Sequence, residues 1–314
     1  IAKIGVENWL ENYKPPFDPV LYKERHLEIF QKFISIACTG KDDKINKFFI
    51  ANFKIVLLIL EVSTKYQMVE SLKNQYKYFQ SKTLNKFEDI PFLELNTSLA
   101  KLYANSRKSF KDSLRSYSKN IFLFVKYSSR LRTKNRIYYQ GTFNLDIANF
   151  IISNKKYPIF LNPSLSSNSL SSTFFPNEIK SKIDLLLGQY KFLSRNEVAV
   201  IKKSINKILQ YNWSIYENLL QNIKPNGHLL LSNGNGYINH RLIIAAWKIN
   251  GGKSIGFAHG NSDFTSYSPE YIGYDGLSIC DKFVCKTIVQ KKQLERSIKD
   301  FAGSLNCAKI ILQK

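Results

Sequence analysis

Cysteine, methionine and acidic side chains are all scarce in this 314-residue chain, and so are long apolar runs. Four cysteines in 314 residues make no disulfide framework, and no pair sits at CxxC spacing. Cys280 and Cys285 lie nearest to one another but have no second ligand pair, so structural zinc is not expected and no metal site is assigned. The thiols read as reduced groups in a reducing compartment. The longest apolar stretch, Phe48–Val62, is broken by Asn52 and Lys54. Its uninterrupted part, Ile55–Leu60, falls far short of the roughly 20 residues that cross a bilayer. No secretory pattern opens the sequence, and the expected location is cytoplasmic. With 44% hydrophobic and 14% aromatic residues, the composition is that of a chain with a real core.

Acid is the scarcest of the common classes: 24 Asp+Glu face 46 Lys+Arg, a formal charge of +22. The excess concentrates between Lys101 and Arg136, where eleven basic residues meet one acid, Asp112. At about 100° per residue, Leu99, Leu102, Tyr103, Phe110, Leu114 and Tyr117 share one helical face. Lys101, Lys108, Lys111, Arg115 and Lys119 share the other. Such a helix can pack its apolar stripe on a core with its cations in water. It can also meet anionic lipid headgroups, which would place the protein peripherally on the inner face of the plasma membrane. Nucleic acid is not the expected partner, because no recognised binding signature accompanies the charge.

The remaining chain reads as alternating elements. Residues 17–38 have helical spacing, with Tyr22, Leu27, Phe30, Phe33 and Ile34 on one stripe, stopped by Thr39-Gly40. Residues 43–82 favour helix, although Ile55–Leu60 alone could form a buried strand. Ile121–Val125, Arg136–Tyr139 and Tyr157–Leu161 are strand-like runs, with a helix over 144–153. Residues 162–176 hold five serines between Ser164 and Ser171, bracketed by prolines, and read as a loop or linker. Helix 177–190 follows, ended near Gly188. Ser194 and Glu197 then make a capping box for a long helix ended by Pro225-Asn226-Gly227.

The chemistry concentrates beyond that point. His228–Ser232 reads as a strand, Asn233–Gly236 as a tight turn and Ile238–Asn250 as a helix closed by Gly251-Gly252. Lys253–Ala258 is a second strand, with His259-Gly260 at its carboxyl end. A strand–turn–helix–strand unit with a short crossover signals a parallel sheet. Ligands of such sheets bind beyond the carboxyl ends of the strands. Two familiar phosphate motifs fail here. The Gly251-Gly252-Lys253-Ser254 run has Trp247 where a P-loop needs its first glycine, and Gly234-Asn235-Gly236 has Asn239 where the dinucleotide fingerprint needs its third. What survives is more general. Ser232, Asn233, Gly234, Asn235 and Gly236 could let backbone N–H groups approach a phosphate at the start of the following helix, with Arg241 adding charge. A plain β-turn is the competing reading. His259, beside a residue that permits close approach, could abstract a hydroxyl proton or neutralise phosphate. Asp263 and Glu270 could orient it or serve as the base.

The block Ser232-Asn233-Gly234-Asn235, Arg241, Ala245 through Gly260, and then Asp281-Lys282-Phe283-Val284, resembles a pattern from bacterial surface-carbohydrate biosynthesis. There a strand ends in a small polar loop, a helix ends A-x-x-x-G, a strand runs into Q-H-G, and an s-D-x-f strand follows. Capsule and lipopolysaccharide transferases of the two-lobed GT-B type resemble it, as do the polyglycerol-phosphate transferases of teichoic acid synthesis. Ala258 stands where that pattern has Gln. The resemblance covers residues 228–287.

The resemblance implies an α/β fold with a Rossmann-like parallel sheet and a GT-B-like first lobe. Residues 1–274 would form that acceptor-type lobe: helix-rich over 1–120, a loop at 162–176 and a Rossmann-like part at 225–274. Residues 275–314 would begin a second, incomplete lobe or a linker. The implied activity is sugar transfer from an anionic nucleotide-sugar donor to a cell-surface polysaccharide or lipid-linked acceptor, with His259 as base or phosphate binder. No cofactor is expected, since the donor is itself a substrate. A glycerophosphate-type transferase of envelope polymers is one alternative. A non-enzymatic basic protein that binds nucleic acid or an anionic surface is another.

Overall fold

The computed structural model describes residues 31–56, 136–140, 145–161, 175–188, 194–231, 237–258, 277–301 and 308–312, with Glu28, Ile59 and Pro163. Its centre is a six-stranded, all-parallel sheet built from β1 (Arg136–Gln140), β2 (Tyr157–Phe160), β3 (His228–Leu231), β4 (Lys253–Phe257), β5 (Lys282–Cys285) and β6 (Lys309–Leu312). The spatial order is β2-β1-β3-β4-β5-β6. The strands are short apolar runs such as Leu229-Leu230-Leu231, as expected where both faces of a parallel sheet are covered. The α/β reading of the sequence therefore holds.

The covering follows from the order of the strands. A right-handed crossover places its helix on a face set by the direction of the step. The step from β1 to β2 runs opposite to all the others. Its helix, α2 (Leu145–Ser153), accordingly packs on one face, alone among the described helices, where Ile147, Ala148 and Ile151 meet Ile137, Tyr139, Leu230, Ile255, Phe257 and Val284. Phe150 stands edge-on to Phe257 at 5.7 Å.

The opposite face carries α1 (Asp43–Ala51), α3 (Asn177–Gly188), α4 (Arg195–Asn222), α5 (Ile238–Ile249) and α6 (Ile288–Phe301). These helices share one core with Leu229, Leu231, Phe283, Cys285 and Ile310 of the sheet. Aromatic packing joins its layers: Phe33 stacks on Phe49 at 4.9 Å, and Phe48 meets Trp213 edge-on at 4.9 Å.

Local signals explain most boundaries. Asp42 caps α1 by accepting from Lys44 N and Ile45 N, and Ser194 with Glu197 forms the anticipated reciprocal box at the start of α4. Residues 31–37 are helical and end at Thr39-Gly40, where Gly40 has φ +103°. Buried Lys182 donates to the carbonyls of Ile36, at 2.9 Å, and Thr39, satisfying that helix end from a distant element. Burial lowers the ammonium pKa from its ordinary value, and Glu178 partly opposes this. Ile55 and Val56, which could have been strand, are helical.

One expectation needs correcting. Residues 275–314 were expected to open a second lobe or a linker, but β5 pairs with β4 and β6 with β5. Asp281 fastens that junction, accepting from Ser254 N at 2.7 Å and from Ser254 Oγ at 3.0 Å, with Lys248 Nζ 3.0 Å away. Residues 282–285 and 309–312 extend the existing sheet. The strand-like run 121–125 and the basic segment 101–135 lie outside the described residues, as do Tyr22, Leu27, Phe30 and most of the loop 162–176. Among the described residues no helix is long and apolar enough to cross a membrane.

Candidate functional site at the carboxyl edge

The chain leaves β1 toward β2, then returns to build β3 on the other side of β1. That reversal is the switch point at which open α/β sheets bind ligands, in the crevice past the carboxyl ends of the flanking strands. Here the flanking strands are β1 and β3, and Gln140 pairs with Leu231 at their carboxyl ends. One strand further, Leu231 pairs with Gly256 of β4. Two neighbouring parallel strands thus deliver the chain to one edge, just before residues 232–236 and residues 259–276.

Packing keeps this part of β4 close to its neighbours. A Cβ added at Gly256 would lie 2.9 Å from both Cys280 Sγ and the Phe283 ring, so glycine allows close approach there. Ala258 N donates to Val284 O at 2.9 Å, carrying the pairing to the last described residue of this segment.

Helix α5 starts at the same edge, and its first N–H groups have no intrahelical acceptor. Tyr237 at the N-cap supplies no side-chain cap, and the first turn holds no acidic residue. The Tyr237 and His240 rings meet edge-on at 5.5 Å beside that turn. The other two helices from this edge are differently finished. Asp146 in the first turn of α2 pairs with Lys286 at 3.1 Å. Thr287 and Gln290 form a capping box on α6: Gln290 N donates to Thr287 Oγ1 at 3.1 Å, and Thr287 N donates to Gln290 Oε1 at 3.3 Å. The sequence signal for it is the T-x-x-Q spacing of Thr287 and Gln290, absent from the expectations above.

Arg241, expected to add charge at a phosphate site, belongs to the described set, and its position is informative. It is wholly buried. Its Nε donates to Ala51 O at 3.0 Å, and its Nη2 to Ile50 O at 2.9 Å and Ser278 Oγ at 3.2 Å. These carbonyls end α1, where the helix dipole is negative and carbonyls lack intrahelical donors. The guanidinium therefore holds α1 against α5 and the chain leading to β5, instead of lying open at the edge as a phosphate ligand would. Ser232, Asn233, Gly234, Asn235, Gly236, His259, Gly260, Asp263 and Glu270 lie outside the described residues, as do Lys101, Lys108, Lys111, Arg115 and Lys119. Among the described residues no group of three or more His, Cys, Asp or Glu side chains could hold a metal.

Comparison with family models, with curated proteins and with solved structures gives no match to this chain.

Proposed function

We propose that this chain is a glycosyltransferase-like protein, moving a sugar from an anionic nucleotide-sugar donor to a cell-surface saccharide or lipid-linked acceptor. One observation carries the reading. Adjacent parallel strands β3 and β4 end at a single edge, next to the switch point, and the sequence there continues into Ser232–Gly236 and His259-Gly260. The start of α5 at this edge supports it, since the N–H groups of a helix's first turn, with no acidic residue there, suit a diphosphate. In this reading His259 removes the acceptor proton or binds the donor phosphate, with Asp263 or Glu270 orienting it. Backbone amides of 234–236 offset the charge that grows on the leaving group. The resemblance to GT-B transferases of surface carbohydrates supplies the reaction class.

The test is donor turnover by the full chain, preceded by a thermal-shift screen of nucleotides and nucleotide sugars. At least one nucleotide sugar should raise the melting temperature. His259→Ala should then lower transfer by about 100-fold or more, as expected for loss of a general base, with an unchanged urea midpoint. Full turnover by His259→Ala would remove the proposed role. Turnover of a polyol-phosphate nucleotide instead of a sugar nucleotide would point to glycerophosphate-type transfer.

A further inference from the structure

The opposite, amino-terminal edge of the sheet has a chemistry of its own. Lys156 immediately precedes β2, and His228, Lys253, Lys282 and Lys309 open β3, β4, β5 and β6. Register pairs His228 with Lys253 and Lys282 with Lys309, while Lys282 lies opposite Ile255, two residues along β4 from Lys253. Side chains alternate along a strand, so each residue shares a face with those two positions on. His228, Lys253 and Lys282 therefore lie on the face of Leu230, Ile255 and Val284, the face that α2 covers. Adjacent strands are about 4.8 Å apart, and like charges directly opposite one another are unfavourable. Lys253, Lys282 and Lys309 are exposed, and these lysines have no ion-pair partner among the described residues. Asp281 is nearby, but its oxygens engage Lys248 and Ser254. His228 reports the same crowding: its pKa is lowered by burial first, then by Lys282, Lys253 and Lys156.

One member of the cationic row, Lys282, lines a cavity. Between α2 and β4–β6 lies a groove of about 590 Å³ with Phe150, Ile152, Phe257, Val284 and Ile311 in its lining. Ser153 and Asn154 line it beside Lys282, while Lys253 and Lys309 flank Lys282 on the neighbouring strands. The volume lies within the roughly 300–1,000 Å³ of small-molecule sites. A free phosphate would use the lysines and leave the apolar wall unfilled. A nucleic acid would want exposed aromatic faces for stacking, whereas Phe257 is 4% exposed and Phe150 meets it edge-on.

We propose that this groove binds a single anionic lipid, its headgroup on Lys253, Lys282 and Lys309 and its alkyl chain along the α2 face. The inference is independent of the transferase reading, because it concerns the other edge of the sheet. Charge complementarity chooses the headgroup, and the apolar lining chooses the tail.

The full chain is titrated calorimetrically with monomeric dodecyl phosphate, inorganic phosphate and a single-stranded oligonucleotide. It is also floated with phosphatidylcholine vesicles with and without phosphatidylglycerol. Dodecyl phosphate should bind at least tenfold more tightly than inorganic phosphate, and flotation should require phosphatidylglycerol. Each basic residue contributes about fivefold at an anionic lipid surface, so Lys253→Gln with Lys282→Gln should weaken dodecyl phosphate about 25-fold. Both lysines are exposed, and the urea midpoint should stay level or rise as repulsion is relieved. Ile152→Asn should weaken dodecyl phosphate and leave inorganic phosphate unchanged. Equal affinity for the two phosphates, or indifference to the lysine changes, would overturn the proposal. So would oligonucleotide binding that alone depends on those lysines.

Discussion

Replacing Arg241 with methionine tests whether its guanidinium serves the fold. Methionine keeps much of the buried volume and removes every donor. The carbonyls of Ile50 and Ala51, bonded at 2.9 and 3.0 Å, would lose partners supplied by a wholly buried side chain. A buried acceptor left unsatisfied costs about 1–3 kcal/mol, so two give about 2–5 kcal/mol once the adaptable thioether has filled most of the space. Arg241→Lys should recover only part, since a single ammonium cannot reproduce a planar fork bonded to two carbonyls and a hydroxyl. The measurement is equilibrium urea unfolding followed by circular dichroism, with the slope compared to confirm that only stability has changed. A loss below about 0.5 kcal/mol, typical of a surface position, would refute the structural role. If the same variant also lost nucleotide affinity, the guanidinium would be serving a ligand after all.

Two further outcomes follow from packing and charge. Gly252→Ala should cost about 1–3 kcal/mol, the usual range for overpacking, because its Cβ would lie 2.1 Å from Trp247 Nε1, on a ring buried and bonded to Lys253 O; a neutral result in the same urea assay would show that the indole can move aside. His228 is held below its ordinary value of 6.5. The unfolded chain therefore takes up the proton first, and stability is lost as pH falls through that value. Between about pH 7.5 and pH 5 the wild-type urea midpoint should fall more steeply than that of His228→Asn, and parallel profiles would exclude the lysine-crowded environment.

The fold was largely legible because its cues are local. The strands β1 to β4 each sit within a residue or two of where composition and turn residues put them, whereas β5 entered only through the resemblance and β6 was not read from the sequence. The Ser194–Glu197 box marked the start of α4 because both halves of a capping box lie within one helical turn. Pairing between distant strands was less accessible. Nothing in residues 282–285 or 309–312 says which sheet they join, so the tail reads equally well as a new lobe. Arg241 misled for a related reason. An arginine near a helix start at a ligand-binding edge looks like an anion ligand, and only the three-dimensional path of α1 reveals the carbonyls that claim it.

Charge shows where a one-dimensional reading loses information. Summed along the chain, the excess appears to sit between Lys101 and Arg136, because contiguous residues are easy to add. Summed across the sheet, Lys156, Lys253, Lys282 and Lys309 form a second concentration, with His228 held neutral among them, whose members are scattered over more than 150 residues. A faint signal was present, in that the runs HLLL, KSIGF, KFVC and KIIL each begin with a basic residue. One such residue is unremarkable, since charge at a strand end is readily solvated. Four in a parallel sheet are different, because parallel strands bring all their first residues to the same edge. Parallel pairing thus separates two chemistries: the sequence after β3 and β4 is polar and contains glycines, while basic residues open the strands at the other edge. A ligand at the carboxyl edge and an anionic lipid at the amino edge would then lie about one strand length apart, and binding of one should leave the affinity for the other unchanged unless the sheet itself moves.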